Sequence, residues 1–199
     1  MICYLCGKEL LDYEVVDEDH VPQAGFFLTE NPPGIIKLNT HKKCNSSFNK
    51  DEHYVITILR GTGNWDPSAE RIWNERGFQS ITQPNRRGLL MRILDETESI
   101  DGNPTTKPDV DRFLNVLGKI VRGLYFNEFS KTLESERFQL KEWFSKQGRW
   151  NFDSNGFISI GNLGKEEFRC LRRFIGDDLE YNLFFYNIHY FRFLYSKIS

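Results

Sequence analysis

Apolar residues recur along this chain with two different periods, and the change from one to the other divides it. Residues 109–126, DVDRFLNVLGKIVRGLYF, place Phe113, Leu117, Val121 and Leu124 on one helical face. A second helix is predicted over 84–97, with LLMRIL as its apolar part. Asp66-Pro67-Ser68 reads as the start of another helix that continues through Trp73, because proline is tolerated at the first helical position. From residue 135 onward the pattern becomes β-like: FISI at 157–160, FRCLRRFI at 168–175 and the aromatic run 181–195 alternate or are rich in β-formers. Residues 98–107 carry Gly102 and Pro104 and no apolar periodicity beyond Ile100, which predicts a loop.

The N-terminal part follows another plan. Residues 1–11 form a knuckle whose turn Gly7 closes. DYEVVDE at 12–18 predicts a strand feeding Asp19-His20, and Pro22 ends it. Pro32-Pro33-Gly34 marks 23–34 as loop, and IIKL at 35–38 gives a second short strand. A helix is expected from Cys44 toward Leu59, stopped by Gly61 and Gly63. The order strand–loop–strand–helix, followed by helices and then antiparallel strands, predicts an α+β fold. It divides the chain into an N-terminal module over 1–62 and an accessory α+β domain over 63–199.

Composition narrows the function classes. The chain has 199 residues, enough for a real core, and 15% aromatics, which argues against disorder. A net charge of −2 excludes a global electrostatic signature for nucleic acid, so any such surface is local. Without a signal peptide or an apolar run of about 18 residues the chain reads as soluble and cytoplasmic, with no membrane partner. In a reducing compartment cysteines serve as metal ligands more readily than as disulfides.

The cysteines then carry the chemistry. Cys3 and Cys6 form a C-x-x-C pair, and His41 and Cys44 an H-x-x-C pair. Two close-spaced pairs separated by a loop supply the four N/S ligands of a tetrahedral structural Zn²⁺. Asp19 and His20 lie between the pairs, inside VDEDHVP, which suggests that the zinc holds up a reaction site. Histidine can take a proton from water at cellular pH, and a carboxylate is a hard ligand suited to Mg²⁺ or Mn²⁺. Neighbouring strand residues point to opposite faces, so both serve one site only if the chain bends there.

This order of parts, Cys3, Cys6, Asp19-His20-Val21-Pro22, His41, Cys44 and Asn45, resembles the HNH (ββα-metal) nuclease family over residues 1–55 or so. His41 stands where that family usually has cysteine, and imidazole is an equally suitable zinc ligand. The family's middle asparagine has no counterpart in register, because Ile35 and Ile36 hold about that place. The resemblance implies a metal-dependent endonuclease hydrolysing DNA, with His20 as general base. It implies Asp19 and Asn45 as ligands of a catalytic divalent cation and Asn49, one helical turn on, as the reserve ligand. Lys42, Lys43 and Lys50 would offer local positive charge to the DNA backbone. Small standalone HNH proteins often resemble effectors of bacterial or phage defence, so the resemblance implies a trigger or partner protein. A homodimer is expected if both strands are cut at once.

Two rival readings stand beside this one. The same site could act on RNA or on branched, single-stranded or modified DNA, with the aromatic C-terminal part reading unpaired bases. Alternatively the module is a catalytically silent, zinc-stapled domain that binds nucleic acid or protein. The remaining features favour structural roles. His53 and His189 have no matching ligand partner in sequence, Cys170 sits in an apolar strand pattern, and the run 181–195 reads as sheet core. Arg169, Arg172 and Arg173 fit a DNA track or a protein surface equally well.

Overall fold

The computed structural model describes residues 1–11, 16–29, 32–61, 70–71, 73–77, 87–100, 103–133, 137–145, 154–164 and 167–196. Strands β1 (Val16–Val21) and β2 (Ile36–His41) form an antiparallel ribbon in which Asp19 pairs with Leu38 and His20 with Lys37. β2 runs directly into the short helix α1 (Lys42–Ser46), and helix α2 (Asn49–Gly61) follows after a turn. Then come α3 (Arg87–Asp95), β3 (Thr97–Ile100), β4 (Asn103–Thr106) and the long helix α4 (Val110–Phe129). Strands β5 (Phe138–Ser145), β6 (Ile158–Leu163), β7 (Phe168–Ile175), β8 (Asp178–Phe185) and β9 (His189–Tyr195) complete the chain. They make one antiparallel sheet in the order β5-β9-β8-β7-β6. The fold is α+β. None of the described helices is long and apolar enough to cross a membrane.

Helix α4 is the centre of the packing. Its N-terminus is capped by Asp109, whose carboxylate accepts from the Arg112 N–H at 3.3 Å, and Ser130 closes the other end in the left-handed region. Phe113, Val116, Leu117, Ile120, Val121 and Leu124 are buried, as the helical period of the sequence requires. On one side Phe113 stacks on Trp143 at 4.5 Å and lies 5.9 Å from Phe191 of the sheet. On another it meets Tyr54 of α2 edge-on at 6.3 Å. Tyr4, Phe26, Phe27, Tyr54 and Leu59 share one continuous core with Phe168, Leu183, Phe185, Phe191 and Phe193. The segments 1–62 and 63–199 thus bury their apolar faces against each other.

Several expectations are corrected. Residues 97–106 form a hairpin rather than a loop: Thr97 pairs with Thr106, their hydroxyls lie 3.0 Å apart, and the Lys107 N–H closes onto the Glu96 carbonyl at 2.8 Å. The β-branched Thr97, Thr105 and Thr106 carry that signal in place of apolar periodicity. The N-terminal helix is also not continuous from Cys44. α1 ends at Ser46, and the chain turns through Ser47 and Phe48 before α2 begins. The helix start read at Asp66-Pro67-Ser68 and residues 12–15 of the first predicted strand lie outside the described residues. Trp73 opens a π-helical turn, Trp73–Gly77, whose tryptophan ring lies against Gly61.

Other expectations hold. Cys170 is a fully buried small hydrophobe, and the run 181–195 is mostly core. His189 is buried and pairs with the Leu59 carbonyl at 3.0 Å. The three C-terminal arginines make contacts within the chain. Arg172 pairs with Glu128, Arg173 pairs with the buried Glu180 at 2.9 Å, and Arg169 lies over the Phe184 ring.

Candidate metal centre and the adjoining buried network

The knuckle is a tight backbone turn. The Cys3 N–H donates to the Lys8 carbonyl at 2.9 Å and the Gly7 N–H to the Cys3 carbonyl at 2.8 Å. Gly7 holds φ +71°, a conformation that a side chain would strain. This turn presents Cys3 and Cys6 to the end of β2, where His41 and Cys44 arrive from the strand terminus and the first turn of α1. The four ligand atoms lie within 4.8 Å of one another. Cys6 Sγ is 3.4 Å and Cys44 Sγ 3.8 Å from His41 Nδ1. Ligands about 2.0–2.3 Å from a tetrahedral zinc stand roughly 3.3–3.8 Å apart, so these separations fit.

Hydrogen bonds around the cluster prepare it for a cation. His41 Nε2 lies 3.2 Å from the Glu9 carbonyl, which can only accept. Nε2 therefore carries the proton and Nδ1 offers its lone pair to the thiols, the arrangement that second-shell partners impose on metal-bound histidines. Burial raises the Cys3 thiol, but the Thr40 hydroxyl at 3.0 Å and backbone N–H groups of His41, Cys6 and Leu5 outweigh it and bring it down to about 6. Burial and the two neighbouring sulfurs push Cys44 up to about 12. A group of thiols that cannot all ionise alone is relieved by one divalent cation among them. The cluster could hold a metal such as zinc.

Beside it, β1 sorts its side chains by alternation. Asp17, Asp19 and Val21 face α1 and α4, while Glu18 and His20 face the other way. Asp19 is buried. Its Oδ2 accepts from the Tyr4 hydroxyl, and both its oxygens lie 3.0–3.1 Å from Lys119 Nζ. The same ammonium donates to Asn45 Oδ1 at 2.8 Å and to Glu52 Oε1 at 2.6 Å. Asn45 Nδ2 in turn donates to Asp17 Oδ2 at 3.1 Å. Lys119, Asp19 and Glu52 each expose only 3% of their side chains. Burial raises Glu52, against the opposing pull of Lys119, and burial with the adjacent Asp19 holds the Tyr4 hydroxyl well above its ordinary range. Arg122, one turn past Lys119, lies over the Phe48 ring at 5.5 Å and reaches the Leu5 carbonyl at 3.3 Å.

No known protein family, curated protein or solved structure matches the chain.

The expected site residues therefore separate into two groups. Cys3, Cys6, His41 and Cys44 come together, and so do Asp19 and Asn45. His20 does not join them. β1 continues unbent through Val21, so its ring projects from the opposite face, opposite Lys37 and 3.9 Å from Glu18. Its Nε2 is buried and makes no hydrogen bond among the described residues. Asn49 is exposed at the head of α2. It is separated from Asn45 by the turn at Ser47 and Phe48. Lys42, Lys43 and Lys50 are exposed on α1 and α2.

Lys119 and Tyr4 are functional candidates that the sequence pattern did not single out, and Glu52, which the sequence places for contact only through water or another residue, joins them by its 2.6 Å bond to Lys119. A signal was present in α4. Arg112, Asn115, Lys119 and Arg122 recur at intervals of three, four and three, a polar stripe complementary to the apolar one. Each of the four bonds to the N-terminal part: Arg112 and Asn115 to Asp51, Lys119 to Glu52 and Asp19, Arg122 to Leu5.

Proposed function

We propose that this chain is a zinc-stapled, HNH-type endonuclease that hydrolyses phosphodiester bonds in DNA with the help of a divalent cation. One observation carries the reading. Asp19 and Asn45, 26 residues apart, converge on a single cationic point directly behind the Cys/His cluster, where the resemblance asks for a metal-ligating acid and amide. The donors there, two carboxylates and an amide oxygen, are the hard oxygen ligands that Mg²⁺ or Mn²⁺ prefers. Asp19, Asn45 and Glu52 would hold the ion, which would neutralise phosphate charge and stabilise the leaving oxygen. Zinc at the cluster would fix the end of β2 and the start of α1, and so the place of Asn45. Lys42, Lys43 and Lys50, exposed on the adjoining helices, would meet the DNA backbone.

A second reading is favoured by the position of His20. A general base must reach the attacking water, and β1 turns this imidazole away from Asp19. That geometry suits a zinc-stapled module that binds nucleic acid or protein without cutting it. Incubation of the zinc-loaded protein with supercoiled plasmid, structured RNA and branched DNA, in Mg²⁺, Mn²⁺ or excess EDTA, separates the two. Metal-dependent cleavage supports the endonuclease. Tight binding without cleavage of any substrate supports the module.

A further inference from the structure

The acid–amide point is already occupied by a positive charge that belongs to the chain. An ammonium has three N–H donors, and Lys119 spends them on Asp19, Glu52 and Asn45 at 2.6–3.1 Å. These acceptors arrive from three separate elements: β1, α2 and α1. A lysine stem would ordinarily carry its charge to water, and burying it costs more than a single ion pair returns. Here the side chain is directed inward along α4 instead. Gly123, one turn further on, is the reason it comes so close. A Cβ there would stand 2.6 and 2.8 Å from the Val21 methyl carbons, so only glycine lets α4 lie directly on β1.

The charges at this point do not balance. Asp19 and Glu52 bring two negative charges and Lys119 one positive charge. A divalent cation would match the acceptors' charge, but it cannot share their centre with the ammonium. Like charges a few ångströms apart in a buried setting repel strongly.

We infer that Lys119 is the built-in occupant of this cation site, so that a divalent cation binds at Asp19, Asn45 and Glu52 only when the Lys119 ammonium withdraws. The inference rests on the endonuclease reading for its consequence, a protein held cation-free at rest, but its chemistry can be tested without DNA. The probe is Mn²⁺ alone, added to the zinc-loaded full chain and followed by the loss of the free-ion paramagnetic resonance signal. Wild type should take up no Mn²⁺ through Asp19. Lys119→Ala should gain one equivalent, about a hundredfold tighter than any uptake by wild type, and Lys119→Ala/Asp19→Asn should lose it again. If Lys119→Ala is unstable, Mn²⁺ should raise its melting temperature and should fail to raise that of the double variant. Wild-type protein binding one Mn²⁺ through Asp19 as tightly as Lys119→Ala would overturn the inference. So would a Lys119→Ala protein that Mn²⁺ neither binds nor stabilises. Absence of DNA cleavage by every variant would remove the endonuclease reading and leave the competition standing.

Discussion

Replacing Lys119 by Met should be among the most damaging single changes in this protein. Met keeps the length and the apolar stem, whose tip lies 5.3 Å from the centre of the Phe48 ring, so the loss is confined to the ammonium. What remains is two carboxylates, each 3% exposed, that have lost their shared counter-charge, and an amide oxygen that has lost its donor. Breaking a buried ion pair from one side costs about 3–5 kcal/mol, because the other charge stays buried and unpaired. Two orphaned acids place the expected cost in the upper half of that range. For a domain whose whole stability is about 5–15 kcal/mol, this is a large fraction. Urea unfolding of zinc-loaded wild type and Lys119→Met, followed by far-ultraviolet circular dichroism, measures the difference. Neutralising the acids as well, in Lys119→Met/Asp19→Asn/Glu52→Gln, should recover most of it, since a buried polar set exchanged as a unit is far better tolerated. A cost below about 1 kcal/mol for Lys119→Met would mean that the ammonium is not buried between the carboxylates, and the reasoning would fail.

The other predictions concern separate parts of the molecule. Metal analysis should find one zinc per chain, and His41→Ala or Cys44→Ser should abolish it and lower stability by several kcal/mol, read as a fall in melting temperature. Zinc loss without a stability change would separate the cluster from the fold. Gly123→Ala should cost about 1–3 kcal/mol by wedging α4 off Val21, and Val21→Ala should relieve part of that cost in the double variant. Burial holds the His189 imidazole down at about 4, from an ordinary 6.5, despite its bond to Leu59. The unfolded chain therefore binds a proton that the folded one refuses. Stability from this group is complete above pH 6.5 and falls as pH drops toward 4, by up to about 3 kcal/mol. His189→Gln should flatten the unfolding free energy between those limits, and an unchanged pH slope would contradict the burial argument.

The contrast between what the chain announced and what it concealed has a physical basis. The Cys/His cluster was legible because two short-range pairs, Cys3/Cys6 and His41/Cys44, each fix their own geometry within one turn. The helical face of α4 and the aromatic strands were legible because burial imposes a period on apolar residues. Lys119 was not, since a lysine within an amphipathic helix reads as part of its solvated face until the partner elements are known. Its burial depends on acceptors between 67 and 100 residues away in sequence. The placement of His20 was half legible. Alternation along a strand predicts that Asp19 and His20 diverge, but only the structure establishes that β1 stays straight as far as Val21. The pairing of β3 with β4 escaped because threonines, rather than apolar alternation, mark it.

The most direct test of the endonuclease reading is cleavage of supercoiled plasmid by zinc-matched wild type, Asp19→Asn and Asn45→Ala in Mg²⁺ or Mn²⁺, each against excess EDTA. The expected result is EDTA-sensitive nicking or linearisation by wild type, once the plasmid's phosphates draw the Lys119 ammonium out of the site, and loss of at least about a hundredfold in rate for both variants at equal zinc content. Cleavage by the two variants at the wild-type rate would contradict it.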